Sequence, residues 1–410
     1  MEFTRTDAIA RDESDPLQAL RQRFVIPETV IYLDGNSLGP LPRHVPAQIA
    51  RIVEHEWGQG LIRSWNDAGW IDAPRRTGAK IARLIGAVAD EVVVADSTSV
   101  NLFKLLVAAA KLRPGRKVLL TERTNFPTDL YIIDSVAELL GLTVVRAWPN
   151  EVLGALDDHV AVLALTHVDY RSGCMHPMRQ LSIAAHAAGA LALWDLSHSA
   201  GVVNVELGED QADLATGCGY KYLNGGPGAP AFAFVARQHL DGVRQPLSGW
   251  LSHALPFMFA DDYVPAPGIG RLQCGTPPML SLLALEAALD VFDNVDRAAL
   301  RRKSQALGDL FIRLFDEQLD AHGFELISPR DSEVRGSQVS LTHPNGYAVI
   351  QALIARGIIG DFRTPNILRF GLAPLYVRFV DVFDAVAAIG EIMATEGWNE
   401  PQFLSAKTVT

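Results

Sequence analysis

The sequence is poor in cysteine. Its three cysteines, Cys174, Cys218 and Cys274, have neither the spacing of metal ligands nor the even count of a disulfide framework. A sparse, odd set is typical of a protein that folds in a reducing compartment. We therefore expect a cytoplasmic protein that holds no metal.

Positive charge and long apolar runs are also scarce. Lys and Arg number 36 against 47 Asp and Glu, so the formal net charge is −11. This balance argues against nucleic acid and against an anionic membrane surface as partners. No apolar run approaches the roughly 18 residues that span a bilayer, and the polar N-terminus lacks the apolar segment of a signal peptide. A small anionic substrate would need individual arginines.

The first two thirds of the chain alternate between strand and helix patterns. At 410 residues the chain exceeds a typical single core, so two domains are expected. Strands are predicted at 92–95, 117–121, 143–147, 160–165 and 191–194, and helices at 100–112, 127–140 and 178–188. Such alternation predicts an α/β fold, with a mostly parallel sheet covered by helices on both faces.

The pattern changes after about residue 282. Helices are predicted at 282–292, 298–322, 347–356 and 379–394, and strands at 325–328, 338–341, 358–362 and 367–371. This order predicts a smaller C-terminal α+β domain. We assign residues 1–50, with a short strand at 29–33, to a segment that packs with the small domain. Residues 51–290 form the large domain and 291–410 the small one.

Lys221 and Asp195 are the most informative residues. Lys221 stands between a short apolar strand pattern and a glycine-rich turn at 225–228, and Asp195 ends another apolar run. A buried amine and a buried carboxylate at strand ends are what pyridoxal phosphate requires. The lysine bonds covalently to the cofactor, and the aspartate keeps the pyridine nitrogen protonated. A domain-interface ion pair for Lys221, and a helix cap or salt bridge for Asp195, are the alternatives.

Other polar and aromatic residues follow predicted strands, where ligands of open parallel sheets bind. Thr98 and Ser99 open a helix whose N-terminus could bind a phosphate, although a plain helix cap explains such residues equally well. Phe126 could stack on a flat cofactor or pack as a hydrophobic staple on the next helix. His198 alone would more often be a core histidine.

Several motifs stand out as a set: Asp34-Gly-Asn-Ser-Leu-Gly-Pro40, Asp195-Leu-Ser-His198, Tyr220-Lys-Tyr-Leu-Asn-Gly-Gly-Pro-Gly228 and Gly249-Trp250. Together they resemble the kynureninase family, over about residues 32 to 376. The resemblance implies a pyridoxal phosphate enzyme of fold type I, with a mostly parallel seven-stranded sheet in its large domain. The lysine and aspartate alone would also fit class V aminotransferases and cysteine desulfurases.

The resemblance also implies site residues. Lys221, Tyr220 and Asp195 would be catalytic, and Arg369 would bind the substrate carboxylate, with Ser37 and Trp65 as weaker candidates for the substrate pocket. The cofactor-binding residues would be Thr98, Ser99, Phe126, Asp129, Thr166, Asp195, His198, Tyr220, Lys221, Trp250 and Thr276. Thr276 would reach the cofactor from the other subunit, which implies a homodimer with shared active sites.

The implied activity is hydrolysis of L-kynurenine to anthranilate and L-alanine, in tryptophan degradation by the kynurenine pathway. Use of 3-hydroxy-L-kynurenine, giving 3-hydroxyanthranilate, stays open, as does a biosynthetic role. A cysteine desulfurase would need a reactive cysteine on a mobile loop late in the chain, and Cys274, just before Pro277 and Pro278, is a poor match. An inactive relative serving as a binding protein is the remaining alternative.

Overall fold

The computed structural model describes residues 3–405. The α-helices are α1 (Arg5–Glu13), α2 (Val45–Arg51), α3 (Ser64–Asp67), α4 (Ala73–Leu84), α5 (Thr98–Leu112), α6 (Pro127–Leu140), α7 (Met178–Ala187), α8 (Met279–Ala288), α9 (Arg297–Gln318), α10 (Gly346–Ala355), α11 (Phe379–Ala394) and α12 (Pro401–Leu404). The strands are β1 (Ile31–Tyr32), β2 (Val92–Val94), β3 (Val118–Glu122), β4 (Thr143–Ala147), β5 (Val160–Thr166), β6 (Leu191–Asp195), β7 (Leu214–Gly217), β8 (Phe232–Val235), β9 (Glu325–Leu326), β10 (Gln338–Thr342), β11 (Ile358–Ile359), β12 (Asp361–Arg363) and β13 (Ile367–Gly371).

The large domain is built on a seven-stranded sheet in the order β2-β8-β7-β6-β5-β3-β4. Only β8 runs against its neighbours β2 and β7, so the sheet is mostly parallel. Every residue of β5 and of β6 is buried, as expected of strands covered by helices on both faces. The predicted α/β fold is confirmed.

The helices after β2 and β3 begin at one edge of this sheet. In α5, the Ser97 side chain accepts a hydrogen bond from the Val100 amide, which caps the helix. In α6, Pro127 occupies the first turn, where its missing N–H costs nothing, and Gly141 ends the helix in a left-handed conformation at φ 63°. Because both helices follow strands, their first turns lie at the carboxyl edge, where Asp195 ends β6.

The small domain contains a four-stranded antiparallel sheet in the order β12-β13-β10-β9. Helices α9 and α11 pack against each other, and α9 also contacts β10. The rings of Phe311 and Phe370, 5.1 Å apart, join α9 to β13 in a buried core. No helix within residues 3–405 has the length and apolar character needed to cross a membrane.

One predicted strand is wrong. Residues 358–362 form two short strands rather than one: β11 pairs in parallel with β1, and β12 joins the four-stranded sheet. The chain changes partner at Gly360, where a Cβ atom would lie 3.0 Å from the Phe370 ring. The N-terminal segment thus supplies the strand that pairs with β11, while the boundaries of the three predicted parts stay a prediction.

Several other predicted elements are longer than the observed ones, among them the helix predicted at 298–322, which ends at Gln318. The strand at 325–328 covers only Glu325–Leu326, and the strand at 29–33 only Ile31–Tyr32. The helix predicted at 282–292 starts earlier and ends at Ala288, where a 3-10 turn over Leu289–Phe292 replaces it. Apolar residues continue through that turn, so the sequence pattern does not show the helix ending.

Candidate active site

A cavity of about 270 Å³ opens at the carboxyl edge of the large sheet. It brings together many residues that the sequence assigned to a cofactor site. We call it the Lys221 cavity, and its lining residues are Thr98, Ser99, Phe126, Thr128, Asp129, Thr166, Tyr170, Asp195, Ser197, His198, Tyr220 and Lys221. A larger cavity of about 380 Å³ lies behind the loop that follows Lys221, but its lining is almost wholly apolar and carries no charged side chain.

Lys221 lies between β7 and β8 and points its amine into the cavity. Its Nζ is 2.9 Å from His198 Nε2 and 5.8 Å from the centroid of the Phe126 ring. Burial, and then the charge of Lys221, hold the pKa of His198 well below its ordinary value. The imidazole is therefore neutral, and Nε2 accepts the hydrogen bond that the lysine donates.

Asp195 and Asp129 form a buried carboxyl pair in the same cavity. Asp195 Oδ1 accepts from the Ser197 amide at 2.6 Å, and Asp129 Oδ2 accepts from Thr166 Oγ1 at 3.2 Å. Burial raises the pKa of both groups, and the charge of Asp195 raises that of Asp129 further. Since two adjacent carboxylates cannot both be ionised cheaply, Asp129 keeps its proton and donates it in a hydrogen bond to Asp195.

These residues fit pyridoxal phosphate by the chemistry of their donor set. Lys221 supplies the amine and Asp195 a carboxylate whose buried negative charge a protonated pyridine would pair. Phe126, packed edge-to-face on Tyr170 with centroids 5.0 Å apart, supplies a flat apolar face. Thr98 lines the cavity in the first turn of α5, where the N–H groups of a helix bind phosphates well.

A second group of polar residues joins the N-terminal segment to the small domain. We call it the arginine cluster: Asp34, Ser37, Asp361, Arg363 and Arg369. Arg369, only 1% exposed, donates from Nε to Asp361 Oδ1 at 2.7 Å and from Nη2 to Oδ2 at 2.5 Å. Ser37 Oγ donates to Asp361 Oδ2 at 2.8 Å. Asp361 is thus the centre of the cluster.

The two carboxyl groups of the arginine cluster differ in pKa. Burial by itself would raise the pKa of Asp361, but the hydrogen bonds and charge of Arg369 and the charge of Arg363 hold it below its ordinary value. Burial, and then repulsion from Asp361, raise the pKa of Asp34 to about 7. Near neutral pH, Asp361 is therefore ionised and Asp34 only partly so.

The cluster touches the Lys221 cavity through Tyr170. Arg369 Nη1 donates to the Tyr170 carbonyl at 2.7 Å, and the Tyr170 ring forms part of the cavity wall. Arg369 and Ser37, predicted to bind substrate, therefore lie next to the predicted cofactor site. Their roles stay predictions.

Besides Arg369 and Ser37, three predicted site residues lie outside the Lys221 cavity of this chain: Trp65, Trp250 and Thr276. Trp250 packs against Trp65, with ring centroids 6.5 Å apart, and against Phe257 and Phe259. Thr276 is exposed, in the loop before α8. Their predicted contacts with cofactor or substrate stay predictions.

Sequence reasoning missed Thr128, Ser197 and Tyr170 as lining residues. Ser197 stands inside the Asp195–His198 motif and Thr128 stands between Phe126 and Asp129, so their positions were usable signals. Tyr170 follows β5 by four residues, as expected of a group at the carboxyl edge. Asp361 gave no comparable signal, because its contact with Arg369 depends on the pairing of β12 with β13 and Ser37 lies 324 positions away.

Comparisons with known proteins identify the family. Residues 300–389 match the model of the kynureninase C-terminal domain. A kynureninase from Pseudomonas fluorescens is 52% identical, over 99% of this chain and 100% of the relative. A kynureninase from Burkholderia mallei strain SAVP1 is 50% identical, again over 99% of this chain and 100% of the relative.

Solved structures share the fold at low sequence identity. An apo cysteine desulfurase from Thermococcus onnurineus NA1 superposes with a TM-score of 0.77 at 19% identity, covering 92% of this chain and 98% of that one. A C-DES mutant with glycine covalently linked to its PLP cofactor gives 0.78 at 15% identity, covering 90% and 99%. The fold and the cavity define a pyridoxal phosphate-dependent enzyme of fold type I. With its full-length relatives at 50% identity or more, the chain belongs to the kynureninase family.

The likeness to desulfurases does not extend to a reactive thiol. Burial raises the pKa of Cys174, Cys218 and Cys274, the direction opposite to that of a nucleophilic thiolate. None of the three lines the Lys221 cavity.

Proposed function

We propose that this protein hydrolyses L-kynurenine to anthranilate and L-alanine, as a step of tryptophan degradation. One observation carries the proposal: the Lys221 amine and the Asp195 carboxyl lie in one cavity at the carboxyl edge of the sheet. The full-length similarity to kynureninases supports the choice of substrate.

Lys221, Asp195, Phe126, Thr98 and Ser99 would hold the cofactor. Bound there, pyridoxal phosphate supplies an aldehyde that bonds to amines and a ring that withdraws electrons from the substrate. Asp195 keeps a proton on the ring nitrogen, and Asp129 steadies Asp195 by donating its own proton in a hydrogen bond.

Lys221 and Tyr220 move the protons. With substrate bound, the Lys221 Nζ would remove the proton from the substrate's α-carbon. His198, neutral and 2.9 Å away, accepts a hydrogen bond from that nitrogen and orients it. Burial raises the pKa of Tyr220, so its phenol stays protonated at neutral pH and can protonate the carbon released by cleavage.

Arg369 and Ser37 would hold the substrate at the other end. A guanidinium suits the planar geometry of a carboxylate, and Arg369 reaches the cavity wall at Tyr170. Trp65 is proposed for the pocket that receives the aromatic ring of the substrate.

Anthranilate fluorescence tests the proposal. The purified protein, loaded with pyridoxal phosphate, is given L-kynurenine, and we expect fluorescence to rise with a matching yield of L-alanine. Separate reactions with L-cysteine, scored for sulfide, and with kynurenine plus a 2-keto acid, scored for amino transfer, cover the rival activities. If no anthranilate forms and the protein releases sulfide or transfers the amino group instead, the proposed hydrolysis is wrong and the rival activity takes its place. Competition by 3-hydroxy-L-kynurenine measures the preference for that form.

We further propose a homodimer with shared active sites. A strongly exposed set of apolar side chains supports it: Trp57 55%, Leu61 59%, Ile62 78%, Leu255 61%, Phe257 61%, Met258 70% and Phe259 72% exposed. Apolar patches of this kind mark interfaces. Sedimentation should give twice the chain mass, and a Phe257→Ser, Phe259→Ser double variant should give the single-chain mass and lose activity. A monomeric, fully active wild type would contradict sharing.

We also propose that the enzyme works in the cytoplasm. The free cysteines support this, since a reducing compartment keeps thiols unpaired. Fractionation of the producing cell, scored by kynurenine hydrolysis, tests it, and activity outside the cytoplasmic fraction would contradict it.

A further inference from the structure

Arg363 stands beside Arg369 in the arginine cluster. Its Nη2 lies 2.7 Å from Asp361 Oδ2, the oxygen that also accepts from Arg369. The Nη2 atoms of both arginines lie 3.4 Å from Ser37 Oγ. Two guanidinium groups therefore converge on one carboxylate oxygen and one hydroxyl.

The charges of the arginine cluster do not balance. Arg363 and Arg369 are both positive, and Asp361, with its lowered pKa, is the one carboxylate that is fully ionised at neutral pH. Asp34 is only partly ionised there. Positive charge that is partly buried and not fully paired is stabilised by an added anion.

The two arginines differ in the donors that they have left. The Arg369 side chain is 2% exposed, and Asp361 and the Tyr170 carbonyl take its Nε, Nη2 and Nη1. The Arg363 side chain is 40% exposed. Its Nη1 donates to the Phe362 carbonyl at 3.3 Å and its Nη2 contacts Asp361 and Ser37, which leaves its Nε without an acceptor among residues 3–405. Arg363 is the guanidinium with donors available to a ligand.

Arg363 also acts on the Lys221 cavity. Besides burial and the charge of Lys221, the charges of Arg369 and Arg363 lower the pKa of His198, which lines the cavity. A ligand held between His198 and the cluster would lie within the field of both arginines.

We propose that Arg363 binds the carboxylate of the substrate together with Arg369, and that Asp361 is the positioning residue that holds both guanidinium groups in place. The inference rests on the proposed function, because it names a further residue that recognises the amino-acid substrate. Arg369 is the fixed half of the clamp, and Arg363 is the half that reaches towards solvent and meets the incoming carboxylate. Paired guanidinium donors strengthen the binding of a planar two-oxygen anion.

Binding of L-alanine and of L-alaninamide to the holoenzyme tests this role without turnover. The absorbance of the bound cofactor reports both ligands, which differ only in the carboxylate. We expect Arg363→Gln to raise the dissociation constant of L-alanine about 10- to 100-fold, the usual range for a lost charge-assisted hydrogen bond. Binding of L-alaninamide should stay nearly unchanged. Arg363→Lys should fall between, because an ammonium lacks the planar fork.

Arg171→Gln is the matched control. The Arg171 guanidinium lies 4.7 Å from the Tyr170 ring centroid and donates to the Thr124 carbonyl, so it is a nearby charge outside the cluster. It should leave the ratio of the two affinities as in wild type.

Two results would overturn the inference. One is unchanged L-alanine binding by an Arg363→Gln protein that melts at the wild-type temperature. The other is an equal loss for L-alanine and L-alaninamide, which would mean that the substitution disturbs the site as a whole. A wild type that binds L-alanine selectively but does not hydrolyse kynurenine would refute the proposed function and leave Arg363 supported.

Discussion

The Lys221 cavity and the arginine cluster each contain a nearly inaccessible aspartate, and the two behave in opposite ways. Asp195 is 4% exposed and its pKa is raised, whereas Asp361 is 1% exposed and its pKa is lowered. Burial alone therefore does not decide the pKa. At Asp195 the hydrogen bonds from Ser197 and the charge of Lys221 only partly offset burial, whereas at Asp361 two guanidinium groups outweigh it.

The same contrast says what each region is prepared to bind. A cation, such as a protonated pyridine, would stabilise the carboxyl pair of the cavity. An anion, such as a substrate carboxylate, would stabilise the cluster, which has a surplus of positive charge. The four predictions below disturb one region or the other.

Lys221→Ala should have the largest effect. With no amine to bond the cofactor or to move the α-proton, turnover should fall below detection and the absorbance of the covalently held cofactor should disappear. Lys117→Ala, at an exposed lysine before β3, is the control and should be as active as wild type. Normal turnover in the Lys221 variant would remove Lys221 from the mechanism.

Asp195→Asn and Asp129→Asn are matched substitutions within the carboxyl pair. The first removes the charge that keeps the ring nitrogen protonated, and we expect kcat to fall roughly 100-fold or more. The second keeps a donor towards Asp195 and should cost less than about tenfold. Steady-state kinetics checks both. Equal effects would mean that the proton is not placed as we describe, and a mild effect at Asp195 would exclude it from the chemistry.

Arg369→Ala breaks the arginine cluster. We expect KM for kynurenine to rise about 10- to 100-fold with a smaller change in kcat, because a charge-assisted contact to the carboxylate is lost. The melting temperature should also drop, since buried Asp361 keeps only Arg363 as a cationic partner. An unchanged KM would rule out carboxylate binding by Arg369.

Asp34→Asn should have the smallest effect and shows itself in pH profiles. Asp34 has a pKa of about 7 in the folded protein, which is higher than its pKa in the unfolded chain. The folded protein therefore keeps this proton up to a higher pH. The contribution of Asp34 to the free energy of unfolding thus falls as pH rises from about 4 to about 7 and is constant above. Ionisation also cancels positive charge in the cluster, so the wild-type KM should rise about fivefold from pH 6 to 8, an effect of about 1 kcal/mol.

The Asn variant should lack both trends. Its melting temperature should exceed that of wild type increasingly between pH 4 and 7, and its KM should be flat across pH 6 to 8. The other groups facing Asp34 are Ser37, Asp361, Arg363 and Arg369, together with the phenols of Tyr32, Tyr222 and Tyr376, whose pKa values burial raises. The pKa values of the three phenols are raised and that of Asp361 is lowered, in each case away from 7. Identical profiles for variant and wild type would therefore contradict the assignment to Asp34.

The sequence predicted the Lys221 cavity further than the arginine cluster, for a physical reason. In a parallel sheet, strand alternation alone sends Asp195 and Phe126 to one edge. The cluster instead joins Ser37 to Asp361, 324 positions apart, and no local pattern reports such a pairing. The same limit explains why one strand was predicted at residues 358–362. The apolar pattern indicates an extended run, but it does not show that the chain changes partner at Gly360.

Trp250 and Thr276 mark the other limit. Their motif indicates a cofactor contact, yet in this chain Trp250 packs on Trp65 and Thr276 is exposed. A motif in the sequence does not show whether its loop contributes to the cavity of its own chain or to that of a second copy.

The turn at residues 37–39 joins the arginine cluster to the loop that carries Lys221. Ser37 donates to Asp361 in the cluster, and the Gly39 amide donates 2.8 Å to the Tyr220 carbonyl, directly before Lys221. A Cβ atom at position 39 would lie 2.4 Å from the Lys221 carbonyl oxygen, so only glycine lets the two stretches of backbone meet. Two residues of chain, at most about 7 Å when extended, thus link the arginine cluster to the loop that carries Lys221. This short link fixes the N-terminal segment against the Lys221 loop.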